Sequence, residues 1–138
     1  MSPTRRKFIQ MATITAAGLS VGAAPTVRTD MPYRRLGRTG ESVSLLGLGG
    51  AHMGQGDSPD QTQAIAIMRA AVDAGINFFD NAWSYTEGRC EERMGLALAD
   101  GYRDKVFLMS KVLSRDLQGA RQQLEDSLRR LRTDTIDL

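Results

Sequence analysis

Short apolar stretches centred near Leu46, Phe79, Leu108 and Ile136 recur at roughly 30-residue intervals, the size of one strand–helix–strand unit. No other feature restricts the fold as tightly. Between these stretches lie segments with helical periodicity. Ser58-Pro59-Asp60-Gln61 predicts a helix start, with Ser58 as N-cap, Pro59 at the first helical position and Gln61 completing a capping box. Ile65, Met68 and Val72 then share one helical face, and Gly75 supplies the stop. A second helix is expected from about Glu91 to Asp100, burying Met94 and Leu98 and ended by Gly101. A third starts near Ser114 and carries Leu117, Ala120, Leu124, Leu128 and Leu131 on one stripe. Arg129, Arg130 and Arg132 in its last turn complement the helix dipole and read as a solvated helix end.

Ahead of the repeat, Tyr33–Leu36 and Glu41–Leu45 flank Gly37-Arg38-Thr39-Gly40, the pattern of a hairpin. Its second arm runs into Val43–Leu48, expected as one buried strand stopped by Gly49-Gly50. Ile76–Asp80 and Lys105–Lys111 are the next strands, and Thr135–Leu138 opens a fourth. Apolar strands alternating with amphipathic helices mean an α/β fold with a parallel sheet covered by helices. Two closures remain open, a doubly wound sheet and a (β/α)8 barrel. A barrel takes about 250 residues, so the sequence reads as the N-terminal part of one, with about three and a half units after the hairpin.

The chain of 138 residues has Lys+Arg 18 against Asp+Glu 16, and Arg5, Arg6 and Lys7 supply the excess. The remainder of the chain is close to neutral, which argues against a nucleic-acid surface. A single cysteine, Cys90, excludes an internal disulfide and any cysteine-cluster metal site. Residues 1–24 have a basic start, a mildly apolar run from Met11 to Val21 and small residues at Gly22-Ala23-Ala24. That is the logic of a secretory signal, too short to anchor stably in a bilayer. Thr4-Arg5-Arg6-Lys7-Phe8-Ile9 resembles the twin-arginine export signal. The expectation is a signal and linker over 1–30, a domain over 31–138, and export to the periplasm. The competing reading starts translation at Met31 and leaves the protein in the cytoplasm.

Functional groups of a parallel sheet gather at the carboxyl ends of its strands. Asp80 ends one strand and Lys111 the next, and adjacent strands stand about 4.8 Å apart, close enough for an ion pair. Tyr85 follows on the Asp80 loop. A fixed ammonium beside a phenol stabilises its ionised form, which suits a general acid for a carbonyl oxygen. Singly, each has a plainer role: Asp80 as a loop cap, Lys111 as a solvated strand end, Tyr85 as a loop aromatic. His52, the only histidine, reads as a loop residue, and Gly47-Leu48-Gly49 lacks the rest of a dinucleotide fingerprint.

Gly75–Tyr85, continuing through Gly88–Gly95, closely resembles the first signature of the aldo-keto reductases. Tyr33–Gly40, Leu46–Gly50, Val106–Lys111 and Leu124–Leu138 match further segments in order. The resemblance implies a (β/α)8 barrel plugged by the N-terminal hairpin, reducing aldehydes and ketones with NADPH. It makes Tyr85 the proton donor, Lys111 the residue that tunes it and Asp80 the residue that holds Lys111. Gly49, Gly50 and Ala51 would lie against the nicotinamide end of the cofactor, with Asp80 beside them. The family's catalytic histidine falls beyond Leu138. Asn81 stands where many members carry Thr or Ser, and Gly50-Ala51 replaces a commoner Thr–aromatic pair. Two alternatives accompany this reading: a non-catalytic binding module of the same fold, and an inactive truncated product whose open sheet edge invites self-association.

Overall fold

The structure is a computed structural model that describes residues 30–55 and 59–138. The basic start, the apolar run and Ser58 lie outside the described residues. Strands β1 (Tyr33–Arg35) and β2 (Ser42–Ser44) pair antiparallel, with Tyr33 opposite Ser44, as the hairpin pattern predicts. A second sheet holds β3 (Gly47–Gly49), β4 (Phe78–Asp80) and β5 (Phe107–Met109), parallel and in that order. Helix α1 (Gln61–Asp73) connects β3 to β4, α2 (Arg89–Ala97) connects β4 to β5, and α3 (Leu117–Leu131) follows β5.

The expected single strand Val43–Leu48 is in fact two. Ser44 Oγ donates to the Leu46 carbonyl at 2.6 Å and bends the chain, so Leu45 and Leu46 are exposed between the hairpin and the sheet. Asn77 ties the two sheets together. Its Oδ1 accepts the Ser44 N–H at 2.7 Å and its Nδ2 donates to the Ser42 carbonyl at 2.9 Å.

Helix α1 begins two residues later than expected. Its N-cap is Asp60, whose carboxylate accepts the Gln63 N–H at 2.8 Å while the Gln63 side chain accepts the Asp60 N–H at 3.2 Å. The capping box is therefore Asp60–Gln63, not Ser58–Gln61. At the other end Gly75 adopts φ 89°, a conformation that only glycine takes cheaply, and its N–H donates to the Val72 carbonyl. Helix α2 spans Arg89–Ala97, shifted at both ends from the expected range, with Met94 and Leu98 buried as predicted.

Alternation along the strands divides the two faces of the sheet. Phe79 and Leu108 point at the helices and are fully buried with Met68, Met94 and Leu131. Removing such side chains from water contributes about 1.5–3 kcal/mol each. On the opposite face Phe78 and Phe107 stack with ring centroids 5.9 Å apart, and Asp80 shares that face. Residues 135–138 run beside β5 without forming a regular strand. The Asp137 carboxylate takes the Leu108 N–H at 2.7 Å, and the Leu108 carbonyl receives the N–H groups of both Asp137 and Leu138. A side chain thus occupies a ladder position and breaks the register. The α3 stripe is only partly covered: Leu131 is buried, whereas Leu117 is 79% and Leu124 45% exposed.

Candidate active site at the strand ends

Residues beyond the carboxyl ends of β4 and β5 keep pairing through the backbone. The Asn81 N–H donates to the Met109 carbonyl at 2.9 Å and the Trp83 N–H to the Lys111 carbonyl at 3.0 Å. This continued pairing brings Asp80 and Lys111 to one rim. Lys111 Nζ donates to Asp80 Oδ1 in a tight ion pair and to the Asn81 carbonyl at 2.7 Å. Both side chains are 39% exposed, so the pair faces solvent at the mouth of the sheet.

Tyr85 opens a tight turn, Tyr85–Gly88. Its ring lies beneath the ammonium, with Lys111 Nζ 5.4 Å from the ring centroid, within the range of a cation–π contact. The three side chains picked out in the sequence therefore meet. The turn that carries the tyrosine is strained: Thr86 and Glu87 have φ 47° and 56°, left-handed values that cost about 1–2 kcal/mol for each non-glycine residue. Strain of this kind persists only where surrounding contacts over-determine it.

On the neighbouring strand, Gly49 pairs with Asp80, is exposed, and has open space where a Cβ would stand. The buried Gly50 donates its N–H to the Asp80 carbonyl at 2.7 Å, and the Ala51 carbonyl accepts the Cys90 thiol at 3.4 Å. Gly49 thus presents open backbone beside the Asp80–Lys111 pair, whereas Gly50 is turned toward the buried Asn81. The open backbone at Gly49 leaves room for a flat ring at this rim. Arg93 clamps the rest of the loop, donating from Nη1 to the carbonyls of Met53 at 2.7 Å and Pro59 at 2.9 Å. His52 is exposed on that loop, as expected.

Several supporting residues escaped the sequence reading. Arg130 is not solvated: it donates to Glu91 at 3.3 Å and to the Trp83 carbonyl at 3.1 Å, and its guanidinium lies 5.4 Å from the Trp83 ring. Glu91 is fully buried and also accepts the Ser110 hydroxyl at 2.7 Å. A signal for Glu91 was present, because it precedes Met94 by three residues and Leu98 by seven and so shares their buried face. Asn81, also fully buried, accepts the Ala82 N–H on its own side chain at 2.9 Å.

Residues 45–138 match the model of the Aldo/keto reductase family. Over 119 residues the chain is 40% identical to a probable voltage-gated potassium channel subunit beta of Oryza sativa subsp. japonica, covering 78% of this chain and 36% of that protein. It is 39% identical over 99 residues to the methylglyoxal reductase YeaE of Escherichia coli (strain K12), covering 70% of this chain and 34% of the relative. A crystal structure of aldo/keto reductase from Klebsiella pneumoniae in complex with NADP and acetate superposes with a TM-score of 0.64 at 38% identity, covering 70% of this chain and 34% of that one. The fold of such relatives is the (β/α)8 barrel, and this chain is an α/β part of it. The chain spans about a third of the length of these relatives. Matched by the family model over more than half of its length, the chain belongs to the aldo/keto reductase family.

Proposed function

We propose that the protein carrying this segment reduces aldehyde or ketone carbonyls with NADPH, with Tyr85 as the proton donor. The observation that carries this reading is the Lys111 ammonium, fixed by Asp80 and the Asn81 carbonyl and standing over the Tyr85 ring. Gly49, Gly50 and Ala51 would hold the nicotinamide end beside Asp80. When bound, the dinucleotide supplies a hydride for the carbonyl carbon. The Tyr85 hydroxyl gives its proton to the carbonyl oxygen, leaving a phenolate beside a positive charge, and solvent at the exposed rim returns the proton. Asp80 keeps Lys111 in place throughout.

The test is NADPH consumption with a panel of small aldehydes by the protein at the length of its relatives, beside Tyr85→Phe. Loss of the acid is expected to lower turnover about 10²–10⁴-fold. Turnover of the Phe variant equal to the parent's would remove Tyr85 from the chemistry. The 138-residue chain by itself is proposed to lack turnover, since it spans about a third of its relatives.

A binding role on the same fold is the second reading, favoured by the rice relative's description as a channel subunit. Fluorescence titration showing NADPH binding without turnover would select it. We further propose twin-arginine export of residues 1–30 as a signal, checked by mass spectrometry of the mature N-terminus. Self-association is proposed through the outer edge of β3, which among the described residues pairs only with β4. Sedimentation velocity measures it.

A further inference from the structure

The strained turn carrying Tyr85 and the segment carrying Lys111 come from different strand–helix units, yet one buried carboxylate reaches both. Glu91 Oε1 accepts the hydroxyl of Ser110, the residue immediately before Lys111, at 2.7 Å. Its Oε2 accepts Arg130 Nη1 at 3.3 Å, and the same Nη1 donates to the carbonyl of Trp83, two residues before Tyr85. The guanidinium also packs against Gly88 at the far end of the turn, where a Cβ would stand 2.6 Å from Nη1. The positive-φ residues Thr86 and Glu87 are therefore held between two contacts to one side chain, and that side chain is oriented by Glu91. Nothing in the proton-donor chemistry uses Glu91 directly. A fully buried carboxylate is costly unless it is paired and hydrogen-bonded, and Ser110 and Arg130 are the side chains that do this for Glu91.

We infer that Glu91 is a positioning residue that sets the spacing of Tyr85 and Lys111, acting through Ser110 on one side and through Arg130 and Trp83 on the other. The catalytic meaning of that spacing rests on the reductase reading above; the spacing itself does not. The experiment is accordingly geometric. In the 138-residue chain with labelled tyrosine and lysine, NOE cross-peaks are measured between the Tyr85 ring and the Lys111 side chain. The Tyr102 ring, with Lys105 Nζ 4.6 Å from its centroid, is an internal control bearing the same labels. Trp83 is the only tryptophan, so its emission reports on the contacts that its indole makes with Arg130 and Asp126 of α3.

Glu91→Gln is expected to abolish the Tyr85–Lys111 cross-peak and shift the Trp83 emission while the Tyr102–Lys105 cross-peak persists. Ser110→Ala, milder because it leaves the Glu91–Arg130 pair in place, is expected to weaken the Tyr85–Lys111 cross-peak at least twofold with Trp83 emission unchanged. It decides the matter if Glu91→Gln does not fold. A Tyr85–Lys111 cross-peak of parental intensity in Ser110→Ala, or in a Glu91→Gln chain that keeps the control cross-peak, overturns the inference. The cross-peaks are read in the same way from a protein that never reduces a carbonyl, so failure of the reductase reading and failure of the positioning role are separable.

Discussion

Gly50 lies directly against Asn81: a Cβ at Gly50 would stand 2.8 Å from the Asn81 Cγ and 2.9 Å from each of its side-chain polar atoms. Asn81 has nowhere to go, being fully buried, with its Oδ1 taken by the Ala82 N–H and its Nδ2 donating to Met94 Sδ at 3.4 Å. The two departures from the family pattern, Gly50 and Asn81, are thus one steric fact. With asparagine at 81, this chain has room only for glycine at 50.

Gly50→Ala is therefore expected to destabilise the chain by about 1–3 kcal/mol, the usual cost of overpacking, read from urea unfolding. The Asn81 carbonyl also holds Lys111, so turnover in the active protein should fall with it. Adding Asn81→Ser to make room is expected to recover most of the stability. A double variant as unstable as Gly50→Ala alone would show that the clash lies elsewhere.

How much of the site was legible depended on what kind of signal each residue sends. Asp80 and Lys111 could be paired because strands one unit apart lie side by side in a barrel and, except at a switch point, in an open parallel sheet, and Tyr85 because it follows on the same loop. Periodicity located α1, α2 and α3. It misplaced the start of α1, since Ser58 and Asp60 both suit an N-cap and only the backbone decides between them. Arg130 looked solvated because a basic last turn satisfies the helix dipole without any partner. Its partner, Glu91, is 39 residues away in the chain and sits in a charged run, Glu91-Glu92-Arg93, of which only Glu92 is exposed. The fourth strand failed for a local reason that no hydropathy pattern carries: the Asp137 side chain competes with a backbone carbonyl for the Leu108 N–H.

Acid should loosen α3 from its N-terminus. Asp116, its N-cap, accepts the Gly119 N–H and the Ser114 hydroxyl, each at 2.8 Å, and these bonds, the Gly119 one first, hold its carboxyl below the ordinary 3.8. A carboxyl depressed in the folded state contributes stability above its unfolded value and loses it as pH falls through the folded one. The gap in urea midpoint between the parent and Asp116→Ala is expected to be constant near neutral pH and to narrow below about pH 3.8. A gap independent of pH down to the acid limit would mean the carboxylate's charge plays no part in the cap.

Gly95 in α2 crosses the last turn of α3 so closely that a Cβ would stand 2.8 Å from the Leu131 carbonyl carbon and 2.9 Å from its oxygen. Two effects oppose each other in Gly95→Ala. Alanine is favoured over glycine in a helix by about 1 kcal/mol, whereas overpacking costs about 1–3 kcal/mol. Overpacking should win, because the atoms met are backbone, and Leu131 is buried in the core with no room to retreat. The expected net loss is up to about 2 kcal/mol by urea unfolding. Arg130 adjoins the contact, so moving α3 away should also pull its guanidinium from Trp83 and change the emission of that single tryptophan. Gly49→Ala, where a Cβ meets nothing within 4 Å, is the matched control and should stay within about 0.5 kcal/mol of the parent. Equal stability of the two variants would show that α2 and α3 can slide apart freely, and that their close crossing does not fix the position of Arg130.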